Sequence, residues 1–353
     1  MAAISVAFYH FMDDAARNGA APSHALSAIR GFLPWDAGVD IFFVISGFVI
    51  VHASARLFAT GWASLRLFIA RRLARIVPLY WMMTAAFLAV LLAGRSAIHG
   101  DIGGPGYILA SFLFIPWPRP DGVMQPAFGL GWTLNYEMFF YAVFTPCLLL
   151  ARRYAIPACT AIICGFILLG LRLHPASPQL AFWCNPLVLE FCAGMILAQL
   201  LAAGLRLPTA LRLALPLLAI ALLHVFGHGP GQWRVLSQGL PALLLAAAAA
   251  LARPPATLSP LARLLVRLGD ASYAMYLVHP FVMRGFSILW HKFHGHSAVG
   301  VTIYVIAGLA VSQLAALLIH ARLERKITAR LRGKSGVVDE TIQMSGMRSD
   351  RLL

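Results

Sequence analysis

Apolar runs recur along nearly the whole chain, each close to the length of a membrane-crossing helix and each parted from the next by a short polar or Pro/Gly-containing stretch. A bilayer core about 30 Å thick takes roughly 20 mostly apolar helical residues. The pattern predicts ten such segments: Met1–Met12, Ala37–Leu57, Ile76–Gly94, Phe128–Leu150, Ile156–Leu173, Phe182–Leu201, Leu211–Phe226, Val235–Leu251, Ala271–Trp290 and Val299–His320. The first is short, and the brief loops after Phe226 and Leu251 leave the seventh and eighth least sharply bounded. The fold expected is therefore an all-α polytopic membrane protein, a bundle of about ten transmembrane helices over residues 1–320, with the first helix truncated. Residues 321–353 read as a basic tail whose end, "GKSGVVDETIQMSGMRSDRLL", is polar enough to stay disordered. No internal repeat and no soluble domain is apparent; the longest stretches outside the apolar windows are Asp13–Asp36, Arg95–Ala127 and the tail from Ala321.

Composition excludes a soluble globule. With 353 residues, 60% hydrophobic and 12% charged, and a mean hydropathy of +0.78, the chain has too little polar surface to cover itself. The net charge of +15 would fit a nucleic-acid partner, but its placement argues for topology. Arg56, Arg66, Arg71, Arg72 and Arg75 follow the second segment, Arg152 and Arg153 the fourth, Arg206 and Arg212 the sixth, and Arg253, Arg263 and Arg267 the eighth. The tail adds Arg322, Arg325, Lys326, Arg330, Arg332 and Lys334, while the opposite loops carry only scattered cations, among them Arg17, Arg30, Arg119, Arg172 and Arg234. By the positive-inside rule both termini are cytoplasmic and the number of spans is even. The five cysteines show no CxxC spacing and read as small packing residues. No A-x-A site follows the first apolar run, so no cleaved signal peptide is expected.

The chemistry must then lie in the polar residues that interrupt the spans. His10 sits late in the first segment and Asp40 opens the second, in "GVDIFFVISGFVI". Arg71, Arg72 and Arg75 lead into the third, the last two spaced to share a helix face. Glu137 and Glu190 lie mid-segment, and His279 precedes Pro280 in "GDASYAMYLVHP". A charged side chain near the bilayer centre costs roughly 2.5–3.5 kcal/mol on insertion scales, so such groups need partners or a wet cavity. Asp40 at a helix start also has an ordinary structural reading, since acids are favoured there.

Five stretches in order, "YHF", "GVDIFFVISGFVI", "RRLARIVPLYW", "WTLNYEMFFY" and "LGDASYAMYLVHP", resemble the motifs of the acyltransferase-3 family of integral membrane acyltransferases, from about Met1 to His320. "GWTLNYEMFFY" and "NPLVLEFCAGM" look most like the exopolysaccharide O-acetyltransferases of the succinoglycan-modifying type. The resemblance implies transfer of an acyl group, expected to be acetyl, from cytoplasmic acyl-CoA to a sugar hydroxyl of a polysaccharide or lipid-linked oligosaccharide, in a bacterial inner membrane. It implies His10 as the catalytic histidine, Arg72 and Arg75 as the R-x-x-R pair, Glu137 as the motif acid that orients the imidazole or pairs an arginine, and Asp40 as a further acid facing the same polar interior. Arg71, Arg72 and Arg75 suit the phosphates of acetyl-CoA, because guanidinium forks bind phosphate bidentately. Trp132, Asn135 and His279 are the candidate acceptor-binding residues. No tightly bound cofactor is expected.

The family pattern has a basic residue eleven positions before the histidine, and only nine residues precede His10. With a first segment reaching only about 18 Å, the expectation is that the natural gene begins upstream of Met1. Two other classes are weighed. A transporter or flippase of a polysaccharide precursor would also place charges inside the membrane, but with paired repeats and broken helices. A metal site could use His291, His294 and His296 of "HKFHGH", though no carboxylate or cysteine accompanies them.

Overall fold

The computed structural model describes residues 2–18, 22–93, 103–253, 257–293, 297–324 and 326–327. The tail from residue 328 on, His294 and His296, and the side chain of His291 lie outside the described residues. Among the described residues every regular element is helical: α1 (Ala2–Arg17), α2 (His24–Phe32), α3 (Gly38–Ala53), α4 (Trp62–Ala93), α5 (Pro105–Phe112), α6 (Trp132–Cys147), α7 (Arg152–Leu173), α8 (Pro178–Trp183), α9 (Leu189–Ala202), α10 (Thr209–Phe226), α11 (Leu240–Ala250), α12 (Pro260–Asp270), α13 (Ser272–Phe293) and α14 (Ala298–Ile319). Among the described residues each of the ten apolar segments is largely helical, though the sixth is broken at Cys184 and Asn185 between α8 and α9. Among the described residues five stretches are long and apolar enough to cross a membrane: Trp35–Ala53, Trp62–Ala93, Arg152–Leu173, Thr209–Phe226 and Ala298–Leu323. Pro186–Ala202 and Val235–Ala250 are shorter apolar helices.

Two elements outrun their apolar windows. Helix α1 continues past Met12 to Arg17 because its charged residues are satisfied locally. Arg17 bridges Asp13 at 2.9 Å, one turn apart, and Asp14 accepts a hydrogen bond from the Tyr304 hydroxyl at 2.7 Å. Helix α4 begins at Trp62, well before Ile76, so the arginine run is helical. Its 32 residues span about 48 Å at 1.5 Å per residue, more than a bilayer core needs, and the excess is the arginine-bearing end.

The chain divides into two compact units, one of residues Met1–Ile45 and Leu197–Leu323, the other of Ser46–Ile196 with the chain's end. Both divisions fall inside helices, within α3 and within α9. In the first unit α1 packs along α13 and α14. His10 meets His279, and eight residues further on Asn18 meets Ser287 at 3.3 Å, so α1 and α13 run parallel. Phe8, Phe11, Met12, Ala15, Leu26, Val301, Tyr304 and Val305 form the apolar core between these helices. Gly308 makes the approach possible: a Cβ there would lie 2.2 Å from the Phe11 ring. In the second unit Phe68, Phe140, Phe144 and Phe191 are wholly buried. Helix α3 crosses α9 where Gly47 abuts the Phe191 carbonyl, a contact that leaves no room for a side chain.

Candidate active site

Each unit carries its own polar cluster. In the first unit the imidazole of His10, half-buried on α1, stacks against His279 of α13, with ring centroids 5.4 Å apart and planes 28° from parallel. His279 is fully buried. Its Nδ1 lies 3.2 Å from the Met275 carbonyl one turn back, so that nitrogen carries the proton and donates it. Nε2, left as the acceptor, is buried with no hydrogen-bond partner among the described residues. The ring is thereby fixed in orientation, and it presents a flat face for His10.

The acid that opens the second segment is also in this unit, and its partner is the arginine that charge placement assigned to a scattered loop cation. Asp40 is 0% exposed. Arg234 grips it with two bonds, Nε to Oδ1 at 3.1 Å and Nη2 to Oδ2 at 2.7 Å, and reaches Asp36 through Nη1 to Oδ2 at 2.8 Å and Nη2 to the carbonyl at 3.2 Å. Burial by itself would favour loss of the Arg234 proton, but Asp40 and Asp36 overcome that and hold it more firmly than an ordinary arginine does. The local chain explains the geometry. A 3₁₀ turn at Trp35–Ala37 runs straight into α3, putting Asp36 and Asp40 four residues apart on one side. Arg234 directly precedes a π-helical turn, Val235–Gly239, of the kind that often marks a functional position. Asp40 thus lies in the first turn of α3 as half of a buried ion pair. Two acids one turn apart at the mouth of an apolar helix call for a cation, but nothing in the local sequence names Arg234 as that cation.

The second unit holds the other residues. Glu137 on α6 is half-buried, and its Oε1 accepts two hydroxyl bonds, from Ser46 at 2.7 Å and Tyr141 at 2.6 Å. Both donors converge on one oxygen, so the carboxylate is held in a single orientation with Oε2 outside that latch. Neither donor was singled out from sequence, although Tyr141 stands one helical turn after Glu137. On α4, Arg71 and Arg72 are half-buried and Arg75 is exposed. The Arg72 guanidinium lies 5.5 Å over the Phe68 ring, and its Nε is buried without a hydrogen bond among the described residues. Trp132 sets its edge against Tyr136 at 5.9 Å. Asn135 is 2% exposed, its Oδ1 unsatisfied among the described residues, and Glu190 is buried on α9. The described residues contain no group of three or more metal-ligating side chains.

A chain helical in every regular element of its described residues, with membrane-length apolar helices, a stacked histidine pair, a latched carboxylate and an arginine-bearing helix end, falls in the class of integral membrane enzymes. More narrowly, it belongs to the acyltransferase family, whose model, described as "Acyltransferase domain", matches residues 1–317, so the protein is an enzyme that transfers acyl groups. It is 35% identical over 251 residues to the exopolysaccharide production protein ExoZ of Rhizobium meliloti (strain 1021), covering 70% of this chain and 76% of that one. It is 28% identical over 323 residues to the acyltransferase MdmB of Streptomyces mycarofaciens, covering 81% and 79%. No solved structure matches it.

Proposed function

We propose that the enzyme moves an acyl group, acetyl by preference, from cytoplasmic acyl-CoA to a hydroxyl of an exopolysaccharide or other cell-surface sugar. The observation that carries the reading is the His10–His279 pair: one partly accessible imidazole held flat against a second that is fully buried and pinned by a backbone carbonyl. An imidazole so held serves as a general base. One ring nitrogen of His10 takes the proton of the acceptor hydroxyl as that oxygen bonds to the thioester carbonyl carbon. The C–S bond then breaks, and the departing thiolate recovers the proton from His10, leaving an ester and free CoA.

Arg71, Arg72 and Arg75 take the CoA phosphates in this reading, and the buried Nε of Arg72, without a hydrogen bond among the described residues, supports a site built for an anion. Glu137 fixes the polar surroundings through a carboxylate whose orientation is set by Ser46 and Tyr141. Trp132 and Asn135 serve the acceptor, while His279, fully buried, serves to hold His10. Asp40 acts through Arg234. The polysaccharide acceptor is supported by the relative named for exopolysaccharide production. We also propose that all ten apolar segments span the bacterial inner membrane as one domain with cytoplasmic termini, as the placement of cations supports.

The test is transfer of labelled acetyl from acetyl-CoA to lipid-linked oligosaccharide by the purified protein. His10→Ala should keep acetyl-CoA binding and lose about 10²- to 10⁴-fold in transfer. Full transfer by that variant would remove His10 from the chemistry, and failure of the parent to bind acetyl-CoA would remove the donor.

A further inference from the structure

Helix α12, Pro260–Asp270, differs from every long helix around it. None of its residues is buried, yet its sequence is sorted by face. Leu261, Leu264, Leu265 and Leu268 recur at the i, i+3, i+4, i+7 spacing that lines one side of a helix. Arg263, Arg267 and Asp270 fall on the opposite side, with Val266 on its flank. The leucine side is open, with Leu261 65%, Leu264 50% and Leu265 44% exposed. Arg263 and Arg267 are exposed too.

The helix begins soon after apolar α11 ends at Ala250 and is joined to α13 through Ala271 alone. It is well started: Pro260 occupies the first helical position and the Ser259 hydroxyl accepts a bond from the Ala262 N–H at 3.1 Å. Eleven residues are nonetheless marginal as a free helix in water. A surface that takes the leucines and meets the arginines would account for both its sorting and its persistence. Tethered at both ends to apolar helices, α12 has the bilayer surface within reach, and its exposed cations, joined by Arg253, match anionic headgroups in charge.

We infer that α12 is an interfacial anchor that lies in the plane of the membrane, its leucine stripe in the acyl-chain boundary and Arg263 and Arg267 on anionic lipid phosphates. Each arginine biases the engaged state by about fivefold on an anionic surface. The inference rests on the membrane location of the chain and is independent of the acyl acceptor, because its test reads position and not turnover.

The test uses the full-length protein reconstituted into vesicles of phosphatidylcholine with or without phosphatidylglycerol. Nitroxide labels are placed singly at Leu261→Cys, Leu264→Cys, Leu265→Cys, Arg263→Cys and Arg267→Cys, with the unsubstituted protein giving the background from its own cysteines. Labels at the leucine positions should collide with oxygen and resist a water-soluble nickel reagent, with the reverse at the arginine positions. Omitting phosphatidylglycerol, or changing both arginines to Gln, should make the leucine labels shallower. Nickel access at every position would overturn the inference, as would labels shielded from both reagents, which is the signature of a protein partner. Spin–spin broadening that disappears on dilution with unlabelled protein would point to a second copy and overturn it as well. Equal depth in both lipid mixtures would overturn the anionic-headgroup assignment.

Discussion

Arg234→Met leaves a wholly buried carboxylate with its main cation gone. Two unit charges about 4 Å apart attract by about 4 kcal/mol at an effective dielectric near 20. Removing one partner of a buried pair typically costs 3–5 kcal/mol, because the other charge stays behind without compensation. The Arg234 side chain is 24% exposed and that of Asp40 0%, so the loss should sit toward the upper part of that range when the arginine is removed and be much smaller for Asp40→Asn. In the latter variant Arg234 keeps Asp36, whose side chain is 33% exposed and partly hydrated. The asymmetry has a sharper form in the double variant. Asp40→Asn added to Arg234→Met removes the stranded charge, so it should recover at least half of the lost stability. The assay is unfolding in mixed micelles, followed by loss of a monodisperse gel-filtration peak, for the parent, both single variants and the double. A double variant no more stable than Arg234→Met, or a cost below about 1 kcal/mol for Arg234→Met, well short of the buried-pair range, would refute the buried-pair account.

Other consequences follow from the second unit. Arg72→Ala should raise KM for acetyl-CoA with little change in kcat, and Arg72→Lys should restore it only in part, since an ammonium lacks the planar fork; a donor lacking the 3′-phosphate that loses as much as acetyl-CoA in both variants would undo the phosphate assignment. Tyr141→Phe removes one of the two hydroxyls on Glu137 Oε1 and should lower kcat about 10- to 100-fold, the equivalent of a hydrogen bond to a charged group, whereas unchanged turnover would mean Glu137 needs no latch. Gly47→Ala would force a Cβ to within 2.1 Å of the Phe191 carbonyl and should destabilise by about 1–3 kcal/mol as overpacking; Gly165→Ala, inside α7 where nothing lies within 4 Å, is the control and should stabilise slightly, by up to about 1 kcal/mol, in the same unfolding assay.

The helical segments are legible in the sequence because a bilayer imposes a length and a polarity that few other environments demand, and the windows are largely helical among the described residues, the sixth alone being broken in its interior, at Cys184 and Asn185. Helix ends are less legible. Asp13 and Asp14 read as the start of a loop, yet a salt bridge to Arg17 and a hydrogen bond from Tyr304 keep α1 going. The arginines before Ile76 lie outside the apolar window, so their helical spacing is legible but the start of α4 at Trp62 is not. Pairing is the hardest part to see. His10 and His279 are each visible as polar residues in apolar runs, but their stacking depends on α1 lying parallel to α13. Arg234 is hidden for a different reason: among so many arginines explained by topology, nothing in local sequence sets apart the one that answers Asp40, 194 positions away.

The first unit is stitched from the two ends of the chain, which has a consequence for how the protein is made. Asn18 and its contact Ser287 are separated by 269 positions, and at about 5–20 residues per second of synthesis α1 waits from roughly a quarter of a minute to nearly a minute for its neighbours. For roughly the last third of that interval the stretch Ser46–Ile196 is complete and able to pack, while His10 and Asp14 still lack His279 and Tyr304. The nascent protein therefore passes through a stage in which α1 is the least settled helix. Membrane-insertion chaperones, or the ribosome-bound translocon itself, would have to shelter α1 through that delay, and a chain cut short before α13 would expose those unsatisfied groups to quality-control proteolysis.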